Sequence, residues 1–205
     1  MLQTNISNLA LCKRPFFSSG SLYVLYDHTI IQDIINARDF RSHIKRPVFG
    51  KIEVEDNNIH GPVAAEGYGP TMYMIAMQES PEGIESDGQP SPSAVRVWDK
   101  FYEISNDPNS GITKERDIRR ENVFVSANYV FKTDRQLVDT AQAYANHQTA
   151  KGNTDISNCH GTDGPYIIRT SLNYEDLLWS LADIMFSRSY SGPRRVASLS
   201  NFLKE

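Results

Sequence analysis

Two glycines flank a tyrosine in the run Glu66-Gly67-Tyr68-Gly69-Pro70-Thr71, which lies between a segment of strand character and an almost wholly apolar stretch, Met72 to Met77. A diphosphate needs several amide N–H donors converging on one point, with no side chain in the way. Successive glycines in a strand-to-helix turn meet both requirements, and the helix N-terminus adds about half a positive charge. The donors expected are the amides of Tyr68, Gly69, Thr71 and Met72, since Pro70 has no N–H. A plain tight turn uses the same residue types, so the turn by itself only nominates an anion site.

Few other constellations carry chemistry. Glu82, Glu85 and Asp87 follow the apolar stretch and offer a general base or an ordinary solvated surface. Cys159-His160 with Asp163 has the residue types of a cysteine hydrolase, but adjacent side chains diverge and such roles need spatial adjacency. Tyr26-Asp27-His28 reads better as an exposed pair at a strand end than as a catalytic group. Histidines 28, 43, 60, 147 and 160 show no HxxxH or HxH spacing, so no metal site is expected. Arg116, Arg119 and Arg120 alternate with Glu115, Asp117 and Glu121, the pattern of a solvated face. Arg194-Arg195-Val196-Ala197-Ser198 matches what basophilic kinases favour, a short pattern that recurs by accident.

Composition narrows the class. The 205 residues are 40% hydrophobic, enough apolar material for a packed core. A net charge of −4 argues against a dedicated nucleic-acid binder, which needs a basic face. No run of about 18 apolar residues is present, so no membrane span is expected. Leu9-Ala10-Leu11 lacks a charged region before it, so no signal peptide is expected either. The two cysteines, Cys12 and Cys159, have no CxxC spacing and fit a reducing compartment. These points together predict a cytoplasmic protein.

The elements that must position the turn follow from periodicity. Ser21–Tyr26 reads as a buried strand, and Thr29 as the cap of a helix carrying Ile30, Ile31, Ile34 and Ile35. Val48–Val54 alternates as a half-buried strand, Asp56-Asn57-Asn58 turns, and Ile59–Ala65 returns as its partner. Gly69-Pro70 opens a helix to about Glu79 with almost no polar face, hence buried on several sides. Ile84–Asp87 is a short strand, and Ser91-Pro92 caps a helix whose stripe is Val95, Trp98, Phe101 and Tyr102. The breaker cluster Asn106–Gly111 divides a core, residues 1–110, from an extension, residues 111–205. In that extension Asn122–Phe131 reads as a strand and Thr133 as the cap of a helix bearing Leu137, Val138, Ala141 and Tyr144. A polar loop at 150–165, a strand at Tyr166–Arg169, an Asn173-capped helix with Leu177, Leu178, Leu181, Ile184 and Met185, and a short helix in the tail complete it.

The block from Ile59 to Tyr102 resembles the acyl-CoA-binding half of the GNAT acetyltransferase superfamily: strand, glycine turn, helix, strand, helix. It looks most like phage-encoded GNAT-like proteins with a Gly-Tyr-Gly-Pro turn, a Met/Leu-rich helix, a Ser-Asp step and a Ser/Pro-capped helix. The resemblance covers about a fifth of the chain clearly and about half loosely. It implies an α/β (α+β) fold, a mixed sheet flanked by helices with a mainly helical C-terminal extension. It implies acetyl-CoA as cofactor, with Glu66, Gly67, Tyr68, Gly69, Pro70 and Thr71 around its diphosphate and the arm between two splayed strands. The acceptor is then a small-molecule or protein amine. Two positions depart from the family pattern: Ala64 replaces a usual Gln or Arg, and Trp98 replaces the usual tyrosine that protonates the leaving thiolate. Tyr102, one helical turn on, either supplies that proton or packs in the core, and Glu85 is the candidate base. The other expectation is a catalytically inactive phage-type structural or interaction protein on the same scaffold, acting in a virion or host cytoplasm as a homo-oligomer or with a viral assembly partner.

Overall fold

A computed structural model describes residues 8–16, 19–37, 47–86, 88–153 and 174–186. In chain order the elements are β1 (Leu9–Phe16), β2 (Gly20–Asp27), α1 (His28–Ala37), β3 (Val48–Glu55), β4 (Asn58–Ala64), α2 (Gly69–Glu79), β5 (Glu85–Ser86), α3 (Pro92–Ile104), β6 (Ile112–Arg116), β7 (Tyr129–Thr133), α4 (Thr140–Asn153) and α5 (Tyr174–Phe186). Five strands form one sheet in the order β1-β2-β3-β4-β5, and β6 pairs with β7. The sheet is mixed, with β3 and β4 antiparallel and β4 and β5 parallel. An antiparallel bridge between Ile84 and Phe131 ties β7 to the start of β5. The expected mixed α/β class with helices around the sheet therefore holds. No described helix is long and apolar enough to cross a membrane.

Contacts divide the chain into two compact units. Among the described residues the first comprises 13–23 and 50–140, the second 8–12, 24–49 and 141–186. The division expected at residue 110 is therefore displaced. The breaker cluster is a tight turn, not a linker: the Ser110 amide donates to the Asp107 carbonyl at 3.0 Å and the Asn109 amide to Asp107 Oδ1 at 2.9 Å. The chain passes straight into β6, so β6 and β7 belong with α2, β5 and α3, and the extension is not mainly helical from its start.

In the first unit the β3–β4 hairpin turns at Asp56 and Asn57, both at positive φ (46° and 67°), the geometry whose twist suits an antiparallel pair. α2 is buried from Thr71 through Met77, as its lack of a polar face predicts. Its Tyr73 ring meets Trp98 edge-on at 5.1 Å, and Trp98 stacks on Phe131 at 5.6 Å. The Ser91 hydroxyl caps α3 by accepting from the Ala94 amide at 3.3 Å, and the helix buries Ala94, Trp98 and Phe101. Gly83, at φ +89°, lets the chain cross within reach of β7, where a Cβ would lie 2.6 Å from the Phe131 carbonyl oxygen.

In the second unit Asp27, not Thr29, caps α1: its Oδ1 accepts the Thr29 and Ile30 amides at 2.9 and 3.2 Å. α4 starts at Thr140, later than expected. Thr133, in the first unit, ends β7 instead, its hydroxyl donating to the Gly111 carbonyl at 2.6 Å and accepting the Arg135 amide at 3.1 Å. The buried stripe of α4 is Ala143, His147 and Ala150, and that of α5 includes Tyr174, Leu177, Leu178, Leu181 and Met185. Asp87, the Cys159-His160-Asp163 group, the strand expected at Tyr166–Arg169, the Asn173 cap and the Arg194–Ser198 pattern lie outside the described residues.

Candidate functional site

The corner after β4 is open. Gly67 takes φ +84°, a conformation that side chains disfavour, and neither Gly67 nor Gly69 has an atom within 4 Å of where a Cβ would be. Glu66 and Gly67 are exposed, while Tyr68, Gly69 and Pro70 are half-buried. Two of the four expected donors are already used. The Tyr68 amide donates to the Ala65 carbonyl at 3.0 Å and closes the turn, and the Met72 amide donates to the Tyr68 carbonyl at 3.1 Å as the first helical bond. The amides of Gly69 and Thr71 precede that bond and have no acceptor within α2. Thr71 is buried, so its N–H is a donor under cover. No acidic side chain sits in the first turn of α2 and no side chain caps it. The residues present thus fit an anionic group through two backbone donors, fewer than the sequence suggests.

β5 is only two residues long, Glu85–Ser86, and does not run alongside the corner. β4 and β5 pair only at Asn58–Glu85 and Ile59–Ser86, the end of β4 remote from the glycines. His60, Val63 and Ala64 of β4 pair with β3, and among the described residues none of them pairs with β5. Arg120 fastens the paired end. Its guanidinium donates to Asn58 Oδ1 at 3.0 Å, to Glu85 Oε1 at 2.5 Å and to the Ser86 carbonyl oxygen. Asp117 Oδ2 lies 3.4 Å from Arg120 Nε, and hydrogen bonds from Arg119, aided by the charge of Arg120, hold the Asp117 carboxyl below the usual range. The solvated face expected of these arginines is thus, at Arg120, a half-buried clamp.

The two proposed acid–base residues are not brought to the glycines. Glu85 gives its carboxylate to Arg120, with a side chain only 12% exposed. Tyr102 packs on Tyr129 at 5.1 Å, with Lys114 Nζ 3.6 Å from its ring centroid. Side-chain hydrogen bonds, ion pairs and ring contacts tie Glu85 to Arg120, and Tyr102 to Ser105, Lys114 and Tyr129. Trp98, at the family's tyrosine position, is 1% exposed within the aromatic core. A separate pocket of about 370 Å³, with Ser21, Tyr23, Asn57, Glu79 and Pro81 in its lining, lies by the opposite ends of β4 and α2.

The second unit contains a polar cluster that spacing did not reveal. Tyr26, Cys12 and His147 are buried, and Tyr174 caps the group. The Tyr174 hydroxyl donates to the Tyr26 oxygen at 3.0 Å, and the Tyr26 oxygen lies 2.9 Å from His147 Nδ1. On the other side of the ring, His147 Nε2 is 3.7 Å from Glu175 Oε1, which Lys151 Nζ contacts at 2.6 Å. Burial pushes the Tyr174 hydroxyl up to about 12 and raises Tyr26 further. Burial also lowers His147, against the pull of the Glu175 carboxylate, and Lys151 lowers Glu175. The strand-end pair at 26–28 is therefore not exposed as expected: Tyr26 is core, Asp27 a cap, and His28 Nδ1 donates to the Asn8 carbonyl at 2.8 Å. The available signal was His147 midway between Ala143 and Ala150, on a stripe that a helix buries.

No family model matches this chain, and neither a curated protein nor a solved structure is significantly similar to it.

Proposed function

We propose that the first unit is a GNAT-like module that binds acetyl-CoA and transfers its acetyl group to an amine. The observation that carries this reading is the open glycine corner, with the Gly69 and Thr71 amides unspent in the first turn of α2. Those two amides and the positive end of α2 would hold the diphosphate. The open space at Gly67 and Gly69 lets phosphate oxygens approach the backbone closely. The edge of β4 beyond Ile59 would line the extended arm. Bound there, acetyl-CoA supplies an activated thioester. Tyr102 and Glu85 receive no role, because their ring and carboxylate are engaged elsewhere; as the C–N bond forms and the C–S bond breaks, the amine's proton leaves to water and the departing CoA thiolate takes a proton from solvent. Titration calorimetry of the full chain with acetyl-CoA and with CoA tests this. Saturable heat that a Gly69→Trp variant abolishes supports it; no heat at millimolar ligand, or unchanged binding by that variant, removes it.

A second reading has its own support. Trp98 in the aromatic core and Glu85 in the Arg120 clamp suit a scaffold without acyl-transfer chemistry. Beside them, Ile118, Val123, Phe124 and Val125 are 88%, 93%, 42% and 61% exposed, an apolar stretch suited to self-association or an assembly partner. Light scattering separates the two readings. A stable oligomer without CoA affinity favours the scaffold, and a monomer that binds CoA favours the transferase.

A further inference from the structure

We propose that Cys12, His147 and Glu175 form a site for a divalent transition-metal ion of the zinc type. The three come from β1, α4 and the first turn of α5, and one ligand atom from each lies within 4.8 Å of the others. Zinc bonds of about 2.0–2.3 Å place tetrahedral donors roughly 3.5 Å apart. His147 Nε2 and Glu175 Oε1 stand at 3.7 Å, close to that separation, and with every donor within 4.8 Å of the others a closure of about 1 Å completes the set.

The donor types select the ion. Sulfur, imidazole nitrogen and one carboxylate suit zinc and its neighbours, whereas calcium and magnesium take oxygen ligands. A thiolate and a carboxylate together cancel the double charge, which matters where Cys12 is 1% exposed. That burial also tells against a nucleophilic thiol, because a substrate cannot reach it while an ion can. The Glu175 side chain, 36% exposed, opens the way in. On binding, the Cys12 S–H bond breaks, a sulfur–metal bond forms, and one proton passes to solvent. Three protein donors leave the fourth tetrahedral position to water.

The surroundings suit the same use. A metal-ligating imidazole is ordinarily fixed by a hydrogen bond at its other nitrogen, and Tyr26, itself held by Tyr174, sits 2.9 Å from His147 Nδ1. With Nε2 on the ion, the ring proton resides on Nδ1 and points to the Tyr26 oxygen. Lys151 is the competitor. Its ammonium occupies Glu175 Oε1, but its side chain is 48% exposed and can leave for solvent. The metal and Lys151 therefore exchange on one carboxylate. None of this depends on the acyl-CoA reading, which uses other residues in the first unit.

Cobalt(II) titration of the chelator-treated full chain tests the proposal. The expected result is one ion per chain with a thiolate-to-cobalt absorption band that equimolar zinc abolishes. Cys12→Ser should lose the band and Cys159→Ser, the other cysteine, should keep it. Glu175→Gln should weaken binding, and Lys151→Met should tighten it by about two- to fivefold, the worth of removing one partly exposed ion pair. No band in the parent, or a band that survives Cys12→Ser, overturns the proposal. Should circular dichroism show Cys12→Ser unfolded, the two surface variants decide: parental affinity in both overturns it as well.

Discussion

The glycine corner after β4 and the polar cluster around His147 offer ligands by opposite means. The corner presents backbone: two amides without helical partners, open space at Gly67 and Gly69, and exposure at Glu66 and Gly67. The cluster presents side chains, drawn from three elements and closed over by Tyr174 and the apolar stripes of α4 and α5. A backbone site costs the fold little, because turn amides need no packed environment. A buried polar cluster is part of the packing, so its members hold the unit together whether or not anything binds. The contrast predicts that substitutions at the cluster act first on stability and those at the corner first on binding. The two tryptophans allow each unit to be followed separately, Trp98 in the first and Trp179 in the second, through variants that keep one or the other.

The largest effect is expected at His147. Truncation to alanine removes a buried ring and one of the two hydrogen bonds at the Tyr26 hydroxyl, leaving only that from Tyr174, a loss of about 2–4 kcal/mol from cavity and desolvation together. Urea unfolding read through Trp179 should show it, while the Trp98 signal stays near the parental midpoint. A loss below half the lower figure would mean that the cluster is not packed as described.

Acidification should act on the same cluster more gently. His147 is held below the ordinary imidazole value, so between about pH 6.5 and its folded value the unfolded chain binds the extra proton. Stability of the second unit is therefore full above that range and falls as pH drops through it. Glu175, lowered by Lys151, adds a second loss in the same direction below its ordinary value of 4.5. Trp179-monitored melting at stepped pH should show the first decline in the parent and not in His147→Gln. A flat profile between pH 7 and 5 would contradict the buried, neutral imidazole.

How these two regions stood in the sequence follows from the same difference. Gly67, Gly69 and Pro70 are neighbours in the chain, so the turn and the span of α2 could be read directly. Cys12, His147 and Glu175 meet only after folding, and no spacing rule joins them. Local rules also failed where a neighbouring segment took over a residue. Thr133 has the right type for a cap, yet its hydroxyl is engaged with Gly111 and Arg135. Arg120 looked like one charge of a mixed surface, but its partners Asn58 and Glu85 belong to strands dozens of residues away. β1 carries no clear strand signal because Lys13, Arg14 and Pro15 dilute its apolar start, a composition that suits a strand at the end of a sheet order.

At the corner the strongest change is to the backbone. Gly67→Ala forces a Cβ onto φ +84° and should cost about 1 kcal/mol, read at Trp98 and absent at Trp179. Gly69→Ala meets no neighbour and should leave the midpoint near parental. If the corner binds a diphosphate, Gly67→Ala weakens CoA binding beyond what its stability loss explains, since it also tilts the amides that follow.

The smallest expected effect is the most specific. Glu66 is an exposed carboxylate at the mouth of the corner, with no acidic residue following it in the first turn of α2. Its charge opposes an incoming anion without supporting the fold. Glu66→Gln should leave both unfolding midpoints unchanged and strengthen CoA binding by about twofold at low salt, a surface-charge effect that screening removes at high salt. Calorimetry at two ionic strengths reads it. An equal gain at both salt concentrations would point to a contact made by the new amide, and no gain at either would place the diphosphate away from residues 66 to 71.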